Sequence, residues 1–238
     1  MRSLRWFGAL AVTGAFAATA CGDSSGPGVG PVALLTDGAY VDYNPVSAGA
    51  EASQVEYTIK SFGLTVLQID AIDSTAWATA FTSSRVLVIP EEPTDIASAL
   101  SAGAKTLLRR FVDSLGGTLI IVPDDPGIAL LDTLFNYGIV AGVDSESTSL
   151  TAAASGTPFA GGPAIIWNND GTYYVDPGSL PTGGKAIYAL GSNAGASVAY
   201  IPQGRGVVVL IGWDWFNAAP HGPQDGGWLE VLRRALRS

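Results

Sequence analysis

Cysteine and histidine are almost missing from this chain: Cys21 and His221 are the single examples of each in 238 residues. One thiol closes no intramolecular disulfide, and no zinc-ligand spacing of Cys and His exists. Charge is scarce as well, at 14% of residues, and Lys+Arg number 12 against 21 Asp+Glu, a formal charge of −9. A surface of that sign repels phosphate, which argues against nucleic acid as a partner and equally against adhesion to anionic headgroups. No Gly-x-Ser-x-Gly elbow and no phosphate loop occurs. Gly26, Gly28 and Gly30 precede the first strand signal, whereas a nucleotide fingerprint must follow one. After residue 20 no stretch approaches the ~20 apolar residues of a membrane helix.

The chain opens with Arg2 and Arg5, continues through the apolar run Trp6–Ala20, and closes it on Ala18-Thr19-Ala20-Cys21. A basic start, a short apolar core and small residues before a cleavage point are the parts of a secretion signal. The segment resembles the lipobox of bacterial lipoproteins, with Ala18 where that pattern usually has Leu. The resemblance implies cleavage between Ala20 and Cys21, diacylation of the Cys21 sulfur and a place in the cell envelope. Gly22 is not the Asp associated with inner-membrane retention, so the implied location is the outer membrane. Two acyl chains anchor far more stably than one. Without residues 1–20 the chain keeps 10 Lys+Arg against 21 Asp+Glu, a formal charge of −11. Gly22–Pro31 reads as a Gly/Ser/Pro tether, and 32–238 as a single folded domain. The plain alternative is an ordinary secretory signal or an uncleaved anchor.

Strand and helix signals alternate from Val32 onward. Val32–Thr36, Thr65–Ile69, Arg85–Pro90 and Thr118–Val122 read as strands. Between them Ala52, Val55, Ile59 and Phe62 fall at helical spacing, Ser74 caps a short helix, and Leu100–Leu115 and Ile128–Phe135 mark two more. The second half is less regular, with Ile165–Trp167, Tyr173–Val175 and Ala186–Leu190 as short runs. Ser197–Ile201 and Val207–Gly212 flank the turn Gln203-Gly204-Arg205-Gly206 as a β-hairpin, and Trp228–Leu236 ends the chain as a helix. The expectation is an α/β fold, a mostly parallel central sheet with helices on both faces.

The segments Val32–Gly38, Arg85–Glu91, Gly117–Val122 and Gly206–Phe216, in that order, resemble a class I glutamine amidotransferase-like domain, which is flavodoxin-like. The resemblance spans Val32–Arg237. In active members a cysteine stands on a sharp turn after a central strand, in a Gly-x-Cys-x-Gly setting. The matching turn here is Val122-Pro123-Asp124-Asp125-Pro126-Gly127, with Asp124 or Asp125 in the nucleophile's place. The family's late His-x-Glu pair is not reproduced, since His221 is followed by Gly222 and Pro223 with Asp225 beyond. The resemblance therefore implies a member without glutamine hydrolysis by the family mechanism.

Ligands of open α/β sheets bind outside the carboxyl ends of the strands. Asp37, Asp70, Glu91, Glu92, Asp124, Asp125 and Asp214 fall at such ends. If several converge, repulsion raises their pKa values or recruits a cation, Ca²⁺ or Mg²⁺ for an all-oxygen set. The plainer reading is turns and helix N-caps. A second candidate is the aromatic stretch Trp213–Trp228, where Trp215 and His221 beside Asp and Asn side chains would suit a glycan, while Trp228 suits the core. A third is catalytic: His221 as a base oriented by Asp225, with Asp124, Asp125 or Asp214. The leading expectation is a lipid-anchored, non-catalytic module that binds a ligand, a glycan or a protein. The alternatives are an envelope hydrolase and a purely structural module. A pocket joining Asp37, Glu91, Asp124 and His221 would favour the enzyme, and an open aromatic groove the glycan.

Overall fold

The structure, a computed structural model, describes residues 30–144, 146–168, 171–191 and 194–238. Cys21, the signal and most of the tether lie outside the described residues. In chain order the elements are β1 Val32–Leu35, α1 Glu51–Ser61, β2 Val66–Ile69, α2 Ser74–Ala80, β3 Val86–Ile89, α3 Ile96–Ala99, α4 Ala102–Asp113, β4 Thr118–Ile121 and α5 Asp125–Phe135. There follow β5 Ala141–Asp144, β6 Thr148–Leu150, β7 Ile165–Ile166, β8 Thr172–Val175, β9 Lys185–Ala189, β10 Ala196–Gln203, β11 Gly206–Ile211 and α6 Trp228–Ala235.

The fold is mixed α/β, built on one 11-stranded sheet in the order β2-β1-β3-β4-β11-β10-β9-β6-β7, with β8 joining β10 and β5 joining β8. The β2-β1-β3-β4-β11 half is parallel. From β11 outward every pairing is antiparallel. The expectation of a mostly parallel sheet is corrected accordingly. The parallel half follows the β-α order, and from β5 to β11 the strands succeed one another with no α-helix between them, which antiparallel pairing permits because it needs no crossover helix.

Side-chain alternation along β1, β3, β4 and β11 sorts two cores. Ala33, Leu35, Leu87, Ile89, Leu119 and Ile121 pack against residues of α2, α3, α4 and α5. Val32, Leu34, Val86, Val88, Ile120 and Val209 pack against α1, α6 and the three tryptophans Trp213, Trp215 and Trp228. The central strands are therefore buried on both faces, which is why their sequences are continuous aliphatic runs.

Caps fix where the helices begin. Asp73, one residue before the expected Ser74, accepts hydrogen bonds from the Thr75 and Ala76 N–H groups at 2.7 and 2.9 Å and starts α2. Helix α1 buries polar Ser53, Gln54, Glu56 and Thr58 along with its apolar side. Segments on either side supply partners: Tyr43 Oη donates to Glu56 at 2.6 Å, the Asn44 N–H to Ser53 Oγ at 2.8 Å, and Thr58 Oγ1 to the Ala219 carbonyl at 2.8 Å. Burial pushes the Glu56 carboxyl up, but Lys60 at 2.7 Å, Tyr43 and Gln68 outweigh it and hold the pKa below the usual value.

The start of β8 crosses tightly over the end of β11. The Gly212 N–H donates to the Ser197 carbonyl at 2.7 Å and the Asp214 N–H to the Gly171 carbonyl at 3.3 Å, while Thr172 bridges to Trp213. A Cβ on Gly212 would overlap the Tyr173 carbonyl oxygen and approach that of Ser197 to 3.1 Å. Both obstacles are backbone, so no rotamer relieves them. Gly212→Ala is expected to cost about 3 kcal/mol or more. Gly142→Ala, where a Cβ meets nothing within 4 Å, is expected to stay within ~0.5 kcal/mol. Denaturant unfolding of the two variants checks the contrast, and equal stability would contradict the crossing.

Candidate functional site

Parallel strands bring their carboxyl ends to one edge of the sheet. At that edge Pro90-Glu91-Glu92 leaves β3, Pro123-Asp124 leaves β4, and Gly212-Trp213-Asp214 leaves β11. The crossing of β8 lays Gly171-Thr172-Tyr173 beside them. Together they line a cavity of about 140 Å³ whose polar walls are Glu91, Asp124, Asp214, Thr172 and Tyr173. Its remaining lining is Pro123, Gly171 and Gly212, so among the described residues no Lys or Arg stands in the wall. Gly171 is part of the shape, because a Cβ there would sit 2.7 Å from Asp214 Oδ2.

Asp124 holds two positions at once. Its carboxylate caps α5, accepting from the Gly127 N–H at 2.8 Å, and it also faces the cavity. Burial raises its pKa to about 6, although the N–H groups of Gly127, Asp124 and Glu92 pull the other way. Glu91 is raised to about 7, by burial first and then by Asp124 and Asp214. Glu92 is not among the residues that line the cavity. It is 0% exposed, and neither carboxyl oxygen has a hydrogen-bond partner among the described residues. Burial, then Asp124 and Asp95, raise its pKa to about 9, and the Ile96 N–H, which lies near but outside hydrogen-bonding geometry, opposes them weakly. No cation enters any of these shifts, so each of the three carboxyls holds its proton to a higher pH than an exposed one does. Asp214 Oδ1 accepts from the Phe216 N–H at 3.0 Å, and the Tyr173 hydroxyl donates to Asp125 at the rim.

The other candidates separate. Asp37 closes its own turn by accepting from the Ala39 N–H at 3.0 Å, and Asp70 is exposed at the end of β2. His221 is not at the carboxylates. Its Nδ1 lies 3.3 Å from Gln54 Nε2 and its ring centroid 5.0 Å from that of Tyr57, both on α1. Asp225 does not orient it, since that carboxylate accepts from the Gly227 and Leu229 N–H groups at 3.0 and 3.3 Å and begins α6. The expected pocket joining Asp37, Glu91, Asp124 and His221 is thus replaced by one joining Glu91, Asp124 and Asp214. Trp215 is 0% exposed, with Trp213 4.9 Å away and Trp228 stacked on Trp213 at 5.8 Å. Trp213, Trp215 and Trp228 are core residues, although Phe216 among them is exposed, and the glycan platform expected at Trp215 is corrected for that reason. Among the described residues no three His, Cys, Asp or Glu side chains are grouped to hold a metal ion, so the Ca²⁺ or Mg²⁺ set expected from the strand ends is not assembled.

Nor does Asp124 or Asp125 stand on a strained elbow. Asp124 has an extended backbone at φ −126°, and the non-glycine residues with positive φ among those described are Asn136, Trp215 and Asn217. Sequence reasoning missed Thr172, Tyr173, Gly171 and Gly212 as cavity walls. Their one signal is the glycine on each side of the β8–β11 crossing, and it becomes legible only once those segments are known to meet.

No family model matches the chain, and no curated protein matches it either. Among solved structures it is similar to Cytoplasmic Protein STM3548 from Salmonella typhimurium, with 10% identity, a TM-score of 0.55, and coverage of 79% of this chain and 86% of that one. A second is Cytoplasmic Protein STM1381 from Salmonella typhimurium LT2, with 10% identity, a TM-score of 0.48, and coverage of 76% and 82%. A third is an exo-beta-1,4-mannosidase, Op5Man5, from Opitutaceae bacterium strain TAV5, with 14% identity and a TM-score of 0.47. The match covers 87% of this chain and 36% of that one. At these identities the likeness to the first speaks to the fold alone.

The raised carboxyls have a measurable sign. A carboxyl whose folded pKa exceeds its unfolded value stabilises the fold below the unfolded value, and that contribution is lost as pH rises to the folded value. For Glu92 the window runs from 4.5 to about 9, for Glu91 from 4.5 to about 7, and for Asp124 from 3.8 to about 6. Glu56, held low, acts in the opposite direction and loses its contribution as pH falls below 4.5. Stability is therefore expected to decline between pH 5 and 9. One proton held only by the folded state gives a slope of about 1.4 kcal/mol per pH unit. Glu92→Gln is expected to flatten that slope and raise stability at pH 8. Denaturant melts across pH check both, and an unchanged slope in the variant would contradict the assignment.

Proposed function

We propose that the chain is a lipid-anchored protein of the bacterial cell envelope, attached through diacylated Cys21. Its flavodoxin-like, amidotransferase-like domain binds a small ligand bearing a cationic group and does not hydrolyse glutamine. The fold part of this reading is supported by the strand order β2-β1-β3-β4-β11, which runs as in flavodoxin-like sheets, with the β10–β11 hairpin extending it. The anchor is supported by the residues that close the apolar run on Cys21 and by the tether after it.

The observation that carries the binding reading is the strand-end cavity. Glu91, Asp124 and Asp214 line one space of about 140 Å³ with no basic side chain in its wall. That is about ten times the space one water needs, room for a small organic group rather than a bare ion. An ammonium or guanidinium there would relieve the repulsion from Asp124 and Asp214 that adds to burial in raising Glu91, and would donate charge-assisted hydrogen bonds to the carboxylates. Non-catalysis is supported by the unstrained Asp124 cap and by the place of His221 on α1.

A second reading, an envelope hydrolase working by carboxyls alone, is favoured by one observation. Glu91 and Asp124, raised to about 7 and about 6, sit in one cavity, and an acid and a base near neutral pH are what such chemistry uses. His221 has no part in that reading.

Thermal shifts of the full-length protein in detergent separate the two. The panel is arginine, ethanolamine and a polyamine, with Ca²⁺, Mg²⁺, EDTA and neutral sugars as comparisons. A ligand at about 100 times its Kd adds ~2.7 kcal/mol to the native state. The expected result is a shift with an organic cation that weakens in Asp124→Asn, which keeps the cap, and in Asp214→Asn. No shift with any cation would contradict the binding reading, and turnover of model esters or glycosides lost in Glu91→Gln would favour the second. Cys21→Ser is expected to release the protein from membranes and abolish lipid labelling. Retention of label would contradict the anchor.

A further inference from the structure

The exposed edge of the parallel half is β2, which pairs with β1 alone. In a parallel ladder alternate residues turn their backbone groups to the neighbour. The Thr65 carbonyl accepts from the Val32 N–H at 2.9 Å and the Ile69 carbonyl from the Thr36 N–H at 2.8 Å. Thr65, Leu67 and Ile69 therefore face β1, and the N–H and C=O groups of Val66 and Gln68 face outward. No hydrogen bond among the described residues reaches those outward groups from another element. Of the devices that usually blunt an edge, β2 has its short length of four residues, but Val66–Ile69 contains no Pro and no Lys, and its register with β1 is unbroken.

Beside this edge lies the groove between β2 and α2, about 310 Å³ in volume. Its floor is Leu67 and Ile69 from β2, and its far wall is Ala76, Thr79 and Ala80 from α2, whose small side chains leave the space. Asp70 and Asp73 stand in the same lining, which contains no basic residue. We propose that this edge docks an extended, basic segment of a partner protein, which adds to the sheet as a strand beside β2. Its outward-turned backbone groups pair with Val66 and Gln68, one alternate side chain, small and apolar, enters the groove, and lysine or arginine meets Asp70 and Asp73. Main-chain pairing then supplies affinity and the groove supplies selectivity. A second copy of this chain is the poorer occupant, because each copy has a formal charge of −9.

The test uses full-length protein in detergent and a fluorescent peptide of alternating lysine and valine. A control peptide of the same charge carries proline at alternate positions and cannot pair as a strand. The expected result is saturable binding of the first peptide and at least about tenfold weaker binding of the second. Val66→Pro removes only an outward N–H and is expected to weaken binding by about tenfold with thermal stability retained. Asp70→Lys, an exposed change that leaves the backbone intact, keeps the test sharp if the proline variant does not fold, and it too is expected to weaken binding. Slowed amide exchange at Val66 and Gln68 in the complex is the direct readout. Equal binding of both peptides, binding unchanged in both variants, no binding, or self-association through β2 would each overturn the proposal.

Discussion

The polar residues of the candidate site are placed by one constraint: the central strands have no face turned to water. Val32–Leu35, Val86–Ile89 and Thr118–Ile121 are buried at every position, with α1 and α6 on one side and α2 to α5 on the other. A strand in that position accepts aliphatic side chains and little else, because an unpaired polar group there costs more than it returns. Polarity is left to the strand ends, where the chain turns. The ends of β3, β4 and β11 are neighbours, so their turn residues meet.

The acidity of the site follows from that meeting. Glu91 and Glu92 are adjacent in sequence, yet Glu91 lines the cavity and Glu92 is buried outside its lining. Asp124 is close enough to raise both. Its N-cap bonds offset part of its own burial, which is why it shifts less than Glu92. The salt bridges among the described residues lie elsewhere, Lys60 on Glu56 and Arg233 and Arg234 on Glu230. A chain so short of basic residues neutralises these carboxyls by holding protons or by taking a cation from outside.

Much of the parallel half was legible in the sequence. The aliphatic runs of β1, β3, β4 and β11 declare themselves, and so does the helical spacing of Ala52, Val55 and Ile59. The antiparallel half was less so. Thr148–Leu150 and Ala141–Asp144 carry small and polar residues with no period, and their place comes from pairing with β9 and β8. The site was half legible. Every strand end offered an acid, and no local feature distinguishes Asp37, spent on its own turn, from Glu91, which joins a cavity. What separates them is strand order and the β8–β11 crossing, both long-range. Trp215 and His221 looked alike as loop residues, yet one fills the core and the other rests on α1.

The central claim is that burial without a counter-charge pushes the ionisation of Glu91, Glu92 and Asp124 to higher pH. Site-resolved NMR titration of their side-chain carboxyl carbons tests it directly. The account predicts midpoints near 7, 9 and 6, respectively. Midpoints near the ordinary value of about 4 for all three would contradict it.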